Sequence, residues 1–248
     1  MSSELTNSPH GRLFCNGSAI LIIFDMDGTL IDGEAIDELA KAAQVEDLVV
    51  ALTRRAMRGE IDFEEALRER VKLLKGLAVT EVDRVALNIP LMKGAKDIIH
   101  ELKQEYKIAM VSGGFAIVAR RVAQELGIDC FVANELITKD GVLTGGVVGP
   151  LVHSNSKKRA LEMIAEREGI SLEDCIVIGD GANDISMFEA AGFSIAFNAS
   201  PILYDVADVI ITKKDLSLIL PVLRRGAYAE RVAGKKSVAK KRGRRLEA

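Results

Sequence analysis

Cysteine and histidine are scarce in this chain, and their placement excludes several chemistries. Cys15, Cys130 and Cys175 are odd in number and far apart, which argues against a disulfide framework. His10, His100 and His153 share no zinc-ligand spacing with one another or with a cysteine, and so few histidines leave little material for a histidine-based mechanism. No cysteine is followed six residues later by arginine, no Arg-His-Gly occurs, and no Gly-x-x-x-x-Gly-Lys-Ser/Thr loop is present.

Long apolar runs are missing too. The longest near the start, residues 19–24, is too short to cross a membrane and has no signal-peptide cleavage pattern, so a cytoplasmic location is expected. No internal repeat is evident. What the chain does have is 248 residues with 48% hydrophobic content, ample for a sizeable core in one large domain or a main domain with an insertion.

Charge is unevenly spread. From Arg224 onward ten basic residues face only Glu230 and Glu247, so the formal net charge of −3 conceals a +8 tail behind a −11 body. Basic runs of this kind are commonly solvated and disordered, so the tail is weak evidence for nucleic acid and none is expected as a partner. Residues 1–18, rich in Ser, Asn and Gly and without apolar periodicity, read as a flexible extension.

Three apolar runs of strand length, residues 20–24, 108–111 and 175–178, each lead directly into a polar, glycine-bearing loop. Continuous apolar runs suit strands buried on both faces of a parallel sheet. Ligands of open α/β sheets collect beyond the carboxyl ends of such strands, so the three loops should converge. They read Asp25-Met26-Asp27-Gly28-Thr29, Ser112-Gly113-Gly114 and Gly179-Asp180-Gly181-Ala182-Asn183-Asp184. Lys157, at the start of a helical segment, is the fourth member of the set.

Between the first two strands the pattern changes to helical spacing, with Ile36, Leu39, Ala40 and Ala43, then Leu48, Leu52 and Ala56, then Phe63, Ala66, Leu67, Val71 and Leu74. The first of these helices is expected to enter at Asp32 or Gly33, its early acids Glu34, Asp37 and Glu38 matching the positive end of the helix dipole. Pro90 closes the insertion. Later, Asp140-Gly141 between apolar runs predicts a β-hairpin, and strands near 193–197 and 208–211 follow.

The residue types at the loops fit phosphoryl transfer. An ionised aspartate can attack phosphorus and form an aspartyl phosphate, while a second carboxyl protonates the leaving oxygen and then activates water. Gly28 permits a bend that lets Asp25 and Asp27 serve one centre. Asp180 adds a carboxylate from another strand, and hard oxygen ligands without His or Cys favour Mg²⁺. Asn183 and Asp184 either support the turn and cap the next helix or help fix the metal and water. Ser112 offers a hydroxyl, Gly113 and Gly114 offer main-chain N–H groups, and Lys157 offers a point charge to the phosphoryl oxygens.

In their order and context these four segments resemble the haloacid dehalogenase superfamily, whose pattern is Asp-x-Asp-x-Thr, then Ser or Thr, then Lys, then Gly-Asp-x-x-x-Asp. Within it the chain is similar to the phosphoserine phosphatase family over residues 20–221, most closely at 24–37, 63–71, 111–115 and 179–188. The resemblance implies an α/β, Rossmann-like parallel sheet core at residues 19–33 and 91–222, with a small helical cap at 34–90 and a β-hairpin; it leaves uncovered the tail at 223–248, which its charge run marks as basic and disordered.

It also implies Asp25 as nucleophile and Asp27 as general acid/base, with Asp25, the main-chain carbonyl of Asp27 and Asp180 holding Mg²⁺. Ser112, Gly113, Lys157 and Asn183 would bind phosphate, supported by Gly114 and Asp184. Glu34 and Arg70 would take the ammonium and carboxylate of O-phospho-L-serine, a pairing that suits a carboxylate and an arginine fork. Met57 and Phe63 would line the closed pocket or serve as cap core. The implied reaction is hydrolysis to L-serine and phosphate in serine biosynthesis. Transfer of the phosphoryl group to another hydroxyl, such as that of homoserine, and a binding role on an inactive scaffold are the other readings.

Overall fold

The computed structural model describes residues 20–153, 156–225 and 244–246. Its eight strands are β1 (Leu21–Phe24), β2 (Lys107–Phe115), β3 (Cys130–Lys139), β4 (Val142–Val148), β5 (Cys175–Gly179), β6 (Phe193–Phe197), β7 (Val209–Ile211) and β8 (Arg244–Leu246). They form one sheet in the order β4-β3-β2-β1-β5-β6-β7-β8, parallel except for β4.

Strand β1 is apolar at every position because neither of its sides meets water. Ile22 and Phe24 join one core with Ile176 and Ile178, whereas Leu21 and Ile23 join the other with Cys175 and Val177. On the first face lie α5 (Ala95–Leu102), α6 (Ala116–Leu126) and α9 (Ile219–Arg225), and on the second α7 (Ser156–Glu168) and α8 (Ile185–Ala190). Chain order runs outward from β1 in both directions, through β2 and β3 one way and β5 to β7 the other. The crevice at such a switch point, above the ends of β1, β2 and β5, is where the three polar loops emerge.

Between β1 and α5 stand the four helices of the insertion: α1 (Ala35–Ala42), α2 (Glu46–Met57), α3 (Phe63–Leu73) and α4 (Val79–Asn88). Helix α1 starts later than the sequence pattern suggests. Its flanking residue is Glu34, in extended conformation and with no side-chain capping bond, while Asp32 and Gly33 belong to the preceding bend. The helical insertion that Pro90 closes ends in α4, which forms because Val82, Val85 and Ala86 supply a buried stripe at helical spacing.

The hairpin β3–β4 turns at Asp140 and Gly141, both at positive φ (51° and 79°), as a two-residue turn matched to strand twist requires. It also holds the insertion. Val79 N–H donates to the Gly141 carbonyl, Leu143 N–H to that of Leu77, and Gly76 N–H to that of Leu143. At the other junction Ile31 and Leu91 form an antiparallel bridge.

The tail departs in part from expectation. Helix α9 reaches Arg225, and Arg244–Leu246 pair in parallel with β7 at the sheet edge, where backbone hydrogen bonding competes with solvation of a basic run. Residues 226–243 and the extension at 1–18 lie outside the described residues. Among the described residues no helix is long and apolar enough to cross a membrane.

Gly192 joins α8 to β6 against the turn that starts β5, and its N–H donates to the Leu172 carbonyl at 2.7 Å. A Cβ there would lie 1.8 Å from the Glu173 carbonyl oxygen, a main-chain atom with no room to retreat. Gly192→Ala should therefore cost roughly 2–3 kcal/mol. Thermal unfolding should show a Tm lower by roughly 4–12 °C.

Candidate active site

Asp25 directly follows β1 with only 3% of its surface exposed, its N–H donating to the Ile178 carbonyl at 2.8 Å. The chain then bends at Gly28 (φ +69°), where a Cβ would strike Asp180 Oδ2 at 2.1 Å. Glycine thus lets the first loop and the Asp180 loop close on each other. Met26 is buried in the core, and the bend sends Asp27 toward β2. There Ser112 Oγ donates to Asp27 Oδ2 at 3.1 Å, and the Ala35 N–H donates to Oδ1 at 2.7 Å.

Lys157, near the start of α7, lies almost wholly buried between two carboxylates. Its Nζ is 2.8 Å from Asp25 Oδ1 and 2.6 Å from Asp184 Oδ1. Burial disfavours the ammonium, but Asp184 and Asp25 outweigh it and hold its pKa above the ordinary lysine value. The other oxygen of Asp184 accepts the N–H groups of Asp180 and Gly181, at 3.2 and 3.1 Å. Asp184 does not cap α8, which has no side-chain capping bond. Its carboxylate braces the loop and the lysine instead.

Oxygens of Asp25, Asp180 and Asp184 all lie within 4.8 Å of one another, a set able to hold a metal ion. Desolvation, then the Asp184 charge, raises Asp180 to about 7, and the same two causes lift Asp25 well above its ordinary value. Carboxylates crowded in this way call for a cation, and an all-oxygen set without His or Cys fits Mg²⁺. Asp27 adds no carboxylate to this cluster, and desolvation raises its carboxyl too.

The cluster forms the floor of a cavity of about 500 Å³ whose lining includes Asp25, Asp27, Lys157, Asp180, Asn183, Gly113 and Gly114. Its opposite wall comes from the insertion, with Glu34, Arg70, Phe63 and Met57, the last 83% exposed at the rim. Glu34 retains accessible surface, but that surface faces the cavity. Desolvation there, with the charges of Asp27 and Asp180, raises its carboxyl to about 8. Burial lowers the Arg70 pKa, and its Nε donates to the Ala66 carbonyl at 3.0 Å. Ser112 lies beneath the lining, 0% exposed, and Asp184 behind it.

A family model of haloacid dehalogenase-like hydrolases matches residues 21–192. The chain belongs to that family. It is 51% identical to a phosphoserine phosphatase of Archaeoglobus fulgidus over 82% of this chain and 60% of the relative. It is 49% identical to one of Methanocaldococcus jannaschii over 82% of this chain and 97% of the relative. A solved structure described as a substrate-bound phosphoserine phosphatase complex superposes with a TM-score of 0.79 and 48% identity, covering 83% of this chain and 98% of that one.

For a hydrolase of this family, Thr53, Ile61 and His153 are lining residues that the sequence alone does not single out. His153 Nδ1 sits 2.6 Å from Glu64 Oε2 of α3, linking the insertion to the loop before α7. Asn134 is also absent from the sequence reading. The available signal is a polar residue directly after the apolar start of β3, in the same sheet as the three loops.

Asp180 supports a pH prediction. Its folded value of about 7 exceeds the ordinary 3.8, so in metal-free protein the folded state binds this proton more tightly and the group's contribution declines as pH rises between those values. Without Mg²⁺, the Tm of Asp180→Asn should gain on that of wild type as pH rises from 4 to 7. With saturating Mg²⁺ the wild type should be the more stable at pH 7. Parallel Tm curves under both conditions would contradict the assignment.

Proposed function

We propose that this chain is a Mg²⁺-dependent phosphoserine phosphatase, hydrolysing O-phospho-L-serine to L-serine and phosphate. The observation that carries this reading is the two-sided cavity, with a buried carboxylate and lysine cluster on the floor and one carboxylate and one guanidinium, Glu34 and Arg70, on the wall. A phosphate monoester bearing an ammonium and a carboxylate complements both sides. A cytoplasmic location is part of the proposal and suits the free thiols of Cys130 and Cys175.

In the proposed reaction an Asp25 carboxylate oxygen attacks phosphorus, and the bond to the serine oxygen breaks. Asp27 protonates the leaving oxygen, a role suited to a carboxyl whose pKa is raised by burial. Ser112, the Gly113 N–H, Lys157 and Asn183 hold the phosphoryl oxygens and receive the charge that develops on them. When bound at Asp25, Asp180 and the Asp27 carbonyl, Mg²⁺ supplies positive charge that keeps Asp25 ionised beside the phosphate. Water then attacks the aspartyl phosphate and gives its proton to Asp27, releasing phosphate and restoring Asp25.

Glu34 and Arg70 select the substrate. An entering ammonium favours the ionised form of Glu34, and the Arg70 fork meets the carboxylate. Phe63 and Met57 form the apolar wall between these groups and solvent.

Phosphate release from L-phosphoserine and from p-nitrophenyl phosphate tests the reading. Arg70→Ala should lower kcat/KM for phosphoserine roughly 10- to 100-fold, the worth of a charged hydrogen bond, and leave p-nitrophenyl phosphate nearly unchanged. Equal losses on both would remove Arg70 from carboxylate recognition. Asp25→Asn should abolish turnover and the phosphoenzyme trapped by acid quench, whereas a trapped phosphoenzyme in that variant would move the nucleophile elsewhere.

A further inference from the structure

Asn134 lies at the carboxyl end of the parallel part of β3, behind the cavity floor and outside its lining, with 0% of its surface exposed. Both ends of its amide are used. Nδ2 donates to the Gly113 carbonyl at 2.9 Å, and Oδ1 accepts the Leu151 N–H at 2.9 Å. Gly113 belongs to the loop that carries Ser112. Leu151 precedes α7 in the chain, and Lys157 is the second residue of that helix.

The ladder between β2 and β3 explains why a side chain is needed there. Val111 pairs with Val132 and Phe115 with Asn134, so Ser112, Gly113 and Gly114 face Ala133 alone and bulge out of register. Regular main-chain pairing cannot fix that bulge. The Asn134 amide spans it instead, and asparagine is the fitting residue because one donor and one acceptor are required on a single short planar group. Aspartate, of equal size, would set an oxygen against the Gly113 carbonyl. Alanine would take the partner from the buried Leu151 N–H and from the half-buried Gly113 carbonyl.

We propose that Asn134 is a positioning residue for phosphoryl transfer. It fixes the Ser112 bulge and the entrance to α7 relative to each other, so that the Ser112 hydroxyl, the Gly113 N–H and the Lys157 ammonium converge on one phosphoryl group. The assignment rests on the phosphatase reading above and deepens it, since it concerns the phosphoryl half of the site and not the serine half.

The test compares Asn134→Asp and Asn134→Ala with wild type, using L-phosphoserine, p-nitrophenyl phosphate and inhibition by orthovanadate, all with Mg²⁺. A misplaced phosphate loop should lower kcat/KM roughly 10- to 100-fold, by one common factor for both substrates and mainly through kcat. Vanadate inhibition should weaken in step. Ser112→Ala combined with Asn134→Asp should lose little beyond the worse single variant, because the two act through one loop. Fully multiplicative losses, a defect confined to phosphoserine, or vanadate inhibition at the wild-type level would overturn the proposal.

Should neither variant fold, Gly149→Ala gives an independent reading, since its Cβ would lie 2.6 Å from Asn134 Oδ1 and 2.8 Å from Asn134 Cα and so displace the residue while retaining its amide. The same common-factor loss is expected, and wild-type vanadate inhibition would again refute the role. A wild type that turns over p-nitrophenyl phosphate but not phosphoserine would sink the substrate reading alone. The Asn134 result would still be decided on the other two probes.

Discussion

Lys157 between Asp25 and Asp184 is the contact from which the rest of the site is built. Each ion removed from water costs several kcal/mol, about as much as a whole domain can spare. A lone lysine or a lone aspartate at this depth would discharge. Held at 2.8 and 2.6 Å from the two carboxylates, the ammonium stays charged, and the aspartates are drawn from different strand ends to one point. Asp184 completes the arrangement by accepting two main-chain N–H groups of its own loop, which fixes Asp180 beside Asp25. The resulting excess of negative charge is unstable by itself and becomes an asset when a cation and a phosphate arrive together.

The sheet supplies the geometry that makes this crowding achievable. Because β1 lies between β2 and β5, the three loops issue from adjacent strands, side by side. Continuous burial of β1 and β5 on both faces holds the strand ends in place, so packing brings the charged groups near enough for the lysine to bind them.

Much of this is legible in the sequence, for reasons that can be stated residue by residue. Asp25, Ser112 and Asp180 each follow an apolar run of strand length, and Asp140-Gly141 announces its turn by conformational need. Lys157 has no such local mark and is readable only through the order of the other segments. Asn134 is less visible still. Its meaning comes from a ladder irregularity between β2 and β3, a tertiary fact that no local pattern encodes. The apolar stripe of α4, Val82, Val85 and Ala86, is interleaved with polar residues, and its burial depends on packing against α6 and α1. The start of α1 is displaced because the Ala35 N–H, at the helix entrance, is claimed by Asp27, a partner distant from any capping motif. Strand β8 forms from a basic run because a sheet edge offers main-chain partners regardless of side-chain charge.

The three main-chain hydrogen bonds between the hairpin and the α3–α4 turn divide the insertion into two mechanical parts. Arg70 lies toward the end of α3 that the hairpin holds, and Glu34 beside the junction where Ile31 meets Leu91. Met57 ends α2, the helix farthest along the chain from both attachments. Recognition is therefore mounted beside the main-chain attachments, whereas the access side is tied to the body through the His153–Glu64 side-chain pair. A chain built this way can alter how readily it admits and releases small molecules, through changes in residues 46–62, while leaving untouched the groups that decide which of them it accepts.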